Sequence, residues 1–244
     1  DTTNFYVDLA YGSFGGPTGS MAFIDDPSGD LEKTAFKEIA AAEADNKVFI
    51  VNRGNGPGNP APHRGWKKVR VKRSATGGYT VQYADIAATT FSTVEVPKDA
   101  EYFFKYVSFD NGLVNVEPKK TKWDIAWTYF ANSFGTGASA IPFMFQDIVV
   151  QNKNVEVAKR TTADKAYENF TEADLGTLTA ADWSTSQIKI GSDWRSTQPA
   201  AAYTDRYYII KDGDNNYYKL KFTAIADQGV RGYPSVAYVL LKRG

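Results

Sequence analysis

Apolar and polar residues alternate with a period of two along most of this chain, the mark of strands with one face buried. Phe5 to Leu9 alternates in this way, and Gly12 to Gly19 follows as a glycine-rich turn region. Val48 to Val51 is a short apolar strand, and Arg53 to Pro62 is a loop whose prolines and glycines exclude helix and ladder. Trp66 to Arg73 sets Val69 and Val71 between basic residues, Thr76-Gly-Gly78 turns the chain, and Tyr79 to Tyr83 returns as a hairpin. Phe91 to Val96 is a further strand, ended by Pro97. Tyr102 to Asp110 and Leu113 to Val116 form a second hairpin across Asn111-Gly112, a pair that accepts positive φ at low cost. Trp123 to Phe130 is a strongly aromatic strand, and Phe143 to Gln151 continues the β pattern. The β pattern closes the chain with Arg206 to Lys211, Tyr217 to Ala224 and Ser235 to Lys242, with Asp212-Gly213 at a turn.

Two stretches break this rhythm. Leu31, Ala35, Phe36, Ile39 and Ala42 recur at helical spacing and predict a helix over 31–45. Residues 161–184 read as helical or irregular, with Thr162 capping a short helix through Phe170 and Thr179 to Asp182 resembling a capping box. The expected fold is therefore all-β, mostly antiparallel, with two or three short helices. A single domain over 1–244 is expected. The alternative is an N-terminal extension, 1–96, and a core, 97–244.

Composition narrows the function classes. Lys plus Arg and Asp plus Glu each number 28, so the chain lacks the basic excess of a nucleic-acid binder. The basic stretch Lys67 to Arg73 is read as the wet face of an edge strand. With no Cys and one His, thiolate chemistry is excluded and a zinc enzyme disfavoured. A serine triad would have to use His63, which sits in the Pro-rich loop, and no Gly-x-Ser-x-Gly elbow or phosphate loop is present. A two-carboxylate hydrolase needs a marked pair of acids, and none is marked. Asp212-Gly-Asp-Asn-Asn216 matches part of a calcium loop but lacks its central glycine and reads as a hairpin turn. No apolar run approaches the length of a membrane span.

Tyr102 to Val116, followed by Lys122-Trp-Asp-Ile-Ala126, resembles the HmuY family of haem-binding surface lipoproteins of Bacteroidota. Tyr207 to Asp214 and Tyr217 to Phe222 resemble the late hairpin of that family, so the likeness covers about residues 80–242. The resemblance implies an all-β fold, export, a lipid tether at the outer membrane through a cysteine upstream of Asp1, and capture of haem for hand-over to an outer-membrane receptor. It implies binding without a chemical step, so no enzyme. Family members ligate haem iron through two His or two Met on loops beyond the Trp-Asp-Ile strand. Met144, within Ile141-Pro-Phe-Met-Phe145, falls in the region of the first ligand, and a thioether among aromatic rings suits an iron porphyrin. No His or Met follows Phe145, which leaves His63 or Met21 as the second candidate. Tyr129, Tyr167 and Tyr203 are nominal oxygen ligands, and Lys122, Lys153 and Arg160 are candidates for the propionates. The alternative is a member of the same scaffold that binds another hydrophobic compound, a glycan stacked on Trp183 or Trp194, or a protein partner.

Overall fold

The computed structural model describes residues 21, 24–56, 60 and 62–244. The strand expected at Phe5–Leu9 and the turn region Gly12–Gly19 lie outside the described residues. The chain forms two compact units, one of residues 1–118 with 131–144 and the other of residues 119–130 with 145–244.

The first unit is built on β1 (Phe49–Asn52), β2 (Trp66–Arg73), β3 (Tyr79–Asp85) and β4 (Ser92–Val96), which pair in chain order as an antiparallel sheet. Val69 on β2, Ala84 on β3 and Val96 on β4 are buried. At the start of β3 the backbone of Gly78 runs so close to β4 that a Cβ there would stand 2.4 Å from the Val96 carbonyl oxygen, so only glycine fits. β2 is an inner strand, which corrects the edge-strand reading of its basic residues. They are also spent locally. Lys67 pairs with Asp85, Lys72 and Arg70 with Glu43, and Arg73 with Glu38, while Lys68 donates to the carbonyls of Ile86 and Ala88. A short hairpin follows, β5 (Tyr106–Ser108) and β6 (Gly112–Val114), with Gly112 at φ 72° as the Asn-Gly pair requires.

The helix expected over 31–45 does not form; only Glu43–Asp45 makes a single 3-10 turn. Side chains capture the backbone that a helix would need. The Ala35 amide donates to Asp25 Oδ1, the Glu32 amide to Asp30 Oδ1 and the Ala40 amide to Asn46 Oδ1. Lys37 sits at φ 59°, and Phe36 packs on Phe49 of β1.

β7 (Ile125–Phe134) and β8 (Ile141–Gln151) pair as a long two-stranded ribbon. The second unit carries a five-stranded antiparallel sheet made from β9 (Glu156–Thr161), β10 (Trp183–Ser184), β13 (Arg206–Lys211), β14 (Tyr217–Asp227) and β15 (Val230–Lys242). Its order is β10-β9-β13-β14-β15, and a small hairpin, β11 (Arg195–Thr197) with β12 (Ala200–Ala202), stands beside it. The central strand β13 is apolar on both faces. Tyr208 and Ile210 join Val149, Val157, Trp194, Leu220 and Phe222 in one core. Tyr207 and Ile209 join Ala158, Tyr167 and Phe170 in the other. A strand covered on both sides reads as a continuous apolar run, as Tyr-Tyr-Ile-Ile does.

The second cover consists of 3-10 turns at Tyr167–Asn169 and Glu172–Thr177, where the sequence predicts a short helix. Buried Lys219 on β14 fixes the first by donating to the carbonyls of Tyr167 at 2.7 Å and Phe170 at 2.8 Å. Thr179 and Asp182 do make capping-type hydrogen bonds, but they close a turn with no helix behind it. A full capping box occurs instead at Thr171. Its amide and hydroxyl donate to Asp174 Oδ2, and Lys165 Nζ pairs with the other oxygen.

The Lys165 ammonium and the Thr171 amide hold Asp174 at about 2, below its ordinary 3.8. A depressed carboxyl stabilises the fold above its unfolded value and loses that contribution as pH falls through the folded value. In Lys165→Met the Asp174 carboxyl should titrate nearer 3.8 by NMR. The gap in urea midpoint between wild type and variant should narrow as pH is lowered from about 5 to about 2.5. A gap that stayed constant would remove Lys165 as the cause.

Candidate functional site

Strand β8 carries Met144, the first candidate ligand. Ile141-Pro-Phe-Met-Phe145 is half-buried except for the fully buried Pro142, and Phe143 packs on Phe134 of β7 with ring centroids 5.7 Å apart. Met144 is therefore a half-buried thioether side chain in an aromatic ribbon.

His63 lies exposed in the loop between β1 and β2. Its Nδ1 accepts the Gly65 amide at 3.0 Å, and its Nε2 stands 3.2 Å from the Asn52 side-chain oxygen. Since that oxygen is an acceptor, Nε2 carries the proton. Both ring nitrogens are committed to shaping the loop, and iron ligation would have to break one of these bonds. Met21 is half-buried.

The tyrosine candidates divide. Tyr167 is buried, its hydroxyl is directed at the backbone carbonyls of Ala237 and Lys219, and burial raises its pKa, so it is spent on structure. Tyr203 is exposed and lies against the Arg206 guanidinium at 4.2 Å, while Tyr129 is exposed on β7. The three propionate candidates sit on separate elements: Lys122 in the turn before β7, Lys153 between β8 and β9, and Arg160 on β9. Trp194 is only 1% exposed and packs on Phe222 at 4.4 Å, which corrects its reading as a sugar-stacking platform. Trp183 is half-buried against Tyr217. Asp212 accepts the amides of Asp214 and Asn216 and the Asn216 side-chain amide, so its carboxylate shapes a turn and turns no free face to calcium. Among the described residues no three His, Cys, Asp or Glu are grouped to hold a metal ion, and no helix is long and apolar enough to cross a membrane.

Three residues beyond Met144 on the same strand is a buried, tightly held polar group of the second unit. Asp147 is 2% exposed and holds φ 56°, a left-handed conformation inside a strand. Its Oδ2 accepts Arg231 Nε at 2.8 Å and Nη2 at 2.5 Å, and Arg195 Nε stands 3.9 Å from the same oxygen. Its backbone carbonyl accepts Trp194 Nε1 at 2.9 Å and Arg195 Nε at 3.3 Å, and Arg195 Nη2 also donates to the Gln146 carbonyl. Burial lowers the Arg195 pKa, with the Asp147 carboxylate opposing that shift. None of these charged residues is marked by a motif in the sequence. A lone aspartate in the apolar run Phe143–Val150 was the available signal, because a buried carboxylate requires a cation.

Comparison with protein-family models gives a match to the HmuY protein family over residues 75–238. Comparisons with curated proteins and with solved structures give no significant match. The matched stretch runs from the β2–β3 turn almost to the end of β15 and contains Met144, Asp147, Arg195 and Arg231, so well over half of the chain is covered and the chain belongs to the HmuY family.

Proposed function

We propose that this protein binds haem at the cell surface and passes it, without a chemical step, to an uptake receptor in the outer membrane. Membership of a family associated with haem binding carries the reading. The half-buried Met144 thioether in its ribbon of phenylalanines supports it. Haem is the cargo here. Met144 supplies a soft ligand on one side of the iron, and Met21 is the candidate for the other side, because both His63 nitrogens are engaged. Export, and a lipid tether through a cysteine upstream of Asp1, belong to the same proposal.

A second reading has a specific observation behind it. Residues 145–244 contain no His and no Met, and the single His is committed. A non-haem member of the scaffold, binding another hydrophobic compound or a protein partner, fits that ligand deficit.

Titration with ferric haem, followed by dithionite reduction, separates the two readings. A saturable one-to-one Soret shift is expected. It should weaken by about tenfold or more in Met144→Ala, since a lost axial bond costs at least ~1.4 kcal/mol of affinity. His63→Ala should titrate like wild type. A spectrum identical to free haem in both redox states would eliminate haem capture and leave the second reading.

A further inference from the structure

The β14–β15 hairpin changes character near its end. Pairing runs from Tyr217↔Lys242 to Ala224↔Ser235 and resumes at Ala226↔Arg231. Ile225 alone on β14 thus spans Gly232, Tyr233 and Pro234 on β15, a bulge of three residues against one. Gly232 holds φ 109°, open in practice only to glycine, and Pro234 has no amide to lend to the ladder. Beyond the bulge lies a tip of two pairs closed by Gln228 at φ 47° and Gly229 at φ 82°, both positive as a type I′ turn demands.

Two pairs and a turn do not hold themselves in place. This tip is fastened by Arg231, two of whose guanidinium nitrogens, Nε and Nη2, donate to Asp147 Oδ2. The contact is partly open to solvent on the Arg231 side. The Arg231 side chain is 35% exposed, so water can take over its hydrogen bonds as it leaves. Arg195 Nε stands 3.9 Å from the Asp147 carboxylate, a second cation that would compensate the buried charge if Arg231 left it. The bulge lies beside an indole: a Cβ at Gly232 would stand 3.9 Å from Trp127 Cη2, and Trp127 is 39% exposed.

We propose that residues 226–232 form a hinged lid over Trp127, latched by Arg231 on Asp147, that opens to admit a flat apolar macrocycle to the indole and closes to slow its release. The inference rests on the proposed function for the class of ligand only. It needs no iron and no ligation by Met144.

The test uses iron-free protoporphyrin IX, read by stopped-flow quenching of tryptophan emission, with amide hydrogen exchange on the same proteins. In Arg231→Ala the tip amides should exchange about tenfold faster while those of β13 keep their protection. Porphyrin release should accelerate by about tenfold, with Arg231→Lys intermediate because one ammonium replaces a two-nitrogen grip. Porphyrin should also protect the tip amides of the wild-type protein, a measurement that survives poor folding of the variant. Faster tip exchange with unchanged release overturns the lid, as does loss of protection spreading through β13, or a wild type whose emission porphyrin does not quench. Gated porphyrin release together with a haem spectrum indifferent to Met144→Ala would sink Met144 ligation and leave the lid standing.

Discussion

Asp147→Ala is expected to lower the free energy of unfolding by about 3–5 kcal/mol, the usual cost of removing one partner from a buried ion pair. The reason is what remains behind. Arg195, the first residue of β11, is buried and donates to the Gln146 and Asp147 carbonyls of β8. Without the carboxylate its charge is uncompensated, and burial already lowers its pKa. Alanine also tolerates φ 56° less readily than aspartate, so the bend in β8 becomes more strained. Asp147→Asn keeps the shape and an acceptor oxygen but removes the charge, and it should lose less. Urea unfolding followed by circular dichroism measures both. A loss under about 1 kcal/mol for the alanine variant would show that water reaches Arg195 and that this site is not desolvated in solution.

Much of the fold is legible from periodicity, and the places where it fails share a cause. The β2–β3 hairpin and β13 fall at the expected residues because Val69 and Val71 alternate with basic residues in β2 and Tyr207 to Ile210 form a continuous apolar run in β13. Strand β9, Glu-Val-Ala-Lys-Arg-Thr, has only two apolar residues and no alternation, and it is a strand because β13 and β10 pair with it on either side. Non-local pairing of this kind leaves no local pattern. The segment 31–45 fails in the opposite sense. Its apolar spacing is helical, but Asp25, Asp30 and Asn46 offer the backbone side-chain acceptors that outcompete a helix.

The candidate site is less legible than the fold, for a physical reason. Met144 stands out in sequence because methionine is rare here and sits among phenylalanines. Asp147, Arg195 and Arg231 do not stand out, because each is one of 28 acids or 28 bases and the partners are far apart in the chain. Only the crossing of the β15 tip with β8 makes them a set. His63 shows the converse: a singular residue in sequence, spent on holding a loop.

The second large effect is expected at Trp194. It was open in sequence to being an exposed sugar platform, yet it is the largest fully buried side chain of the core shared by β8, β13 and β14. Trp194→Ala should cost about 3–5 kcal/mol, because the ring packs on Phe222 and the cavity left behind is walled by β-sheet that collapses poorly. Trp194→Phe separates packing from hydrogen bonding. The phenyl ring keeps most of the apolar contact but leaves the Asp147 carbonyl without its indole donor, so a loss of about 1–2 kcal/mol is expected. Because that carbonyl belongs to the same strained residue that holds Arg231, the two sites should couple. The double variant Trp194→Phe, Asp147→Asn should lose less than the sum of the single losses, by more than about 0.5 kcal/mol. Strict additivity in the unfolding cycle would mean that the indole and the Asp147 carboxylate act independently, and that the bend in β8 is set by the backbone alone.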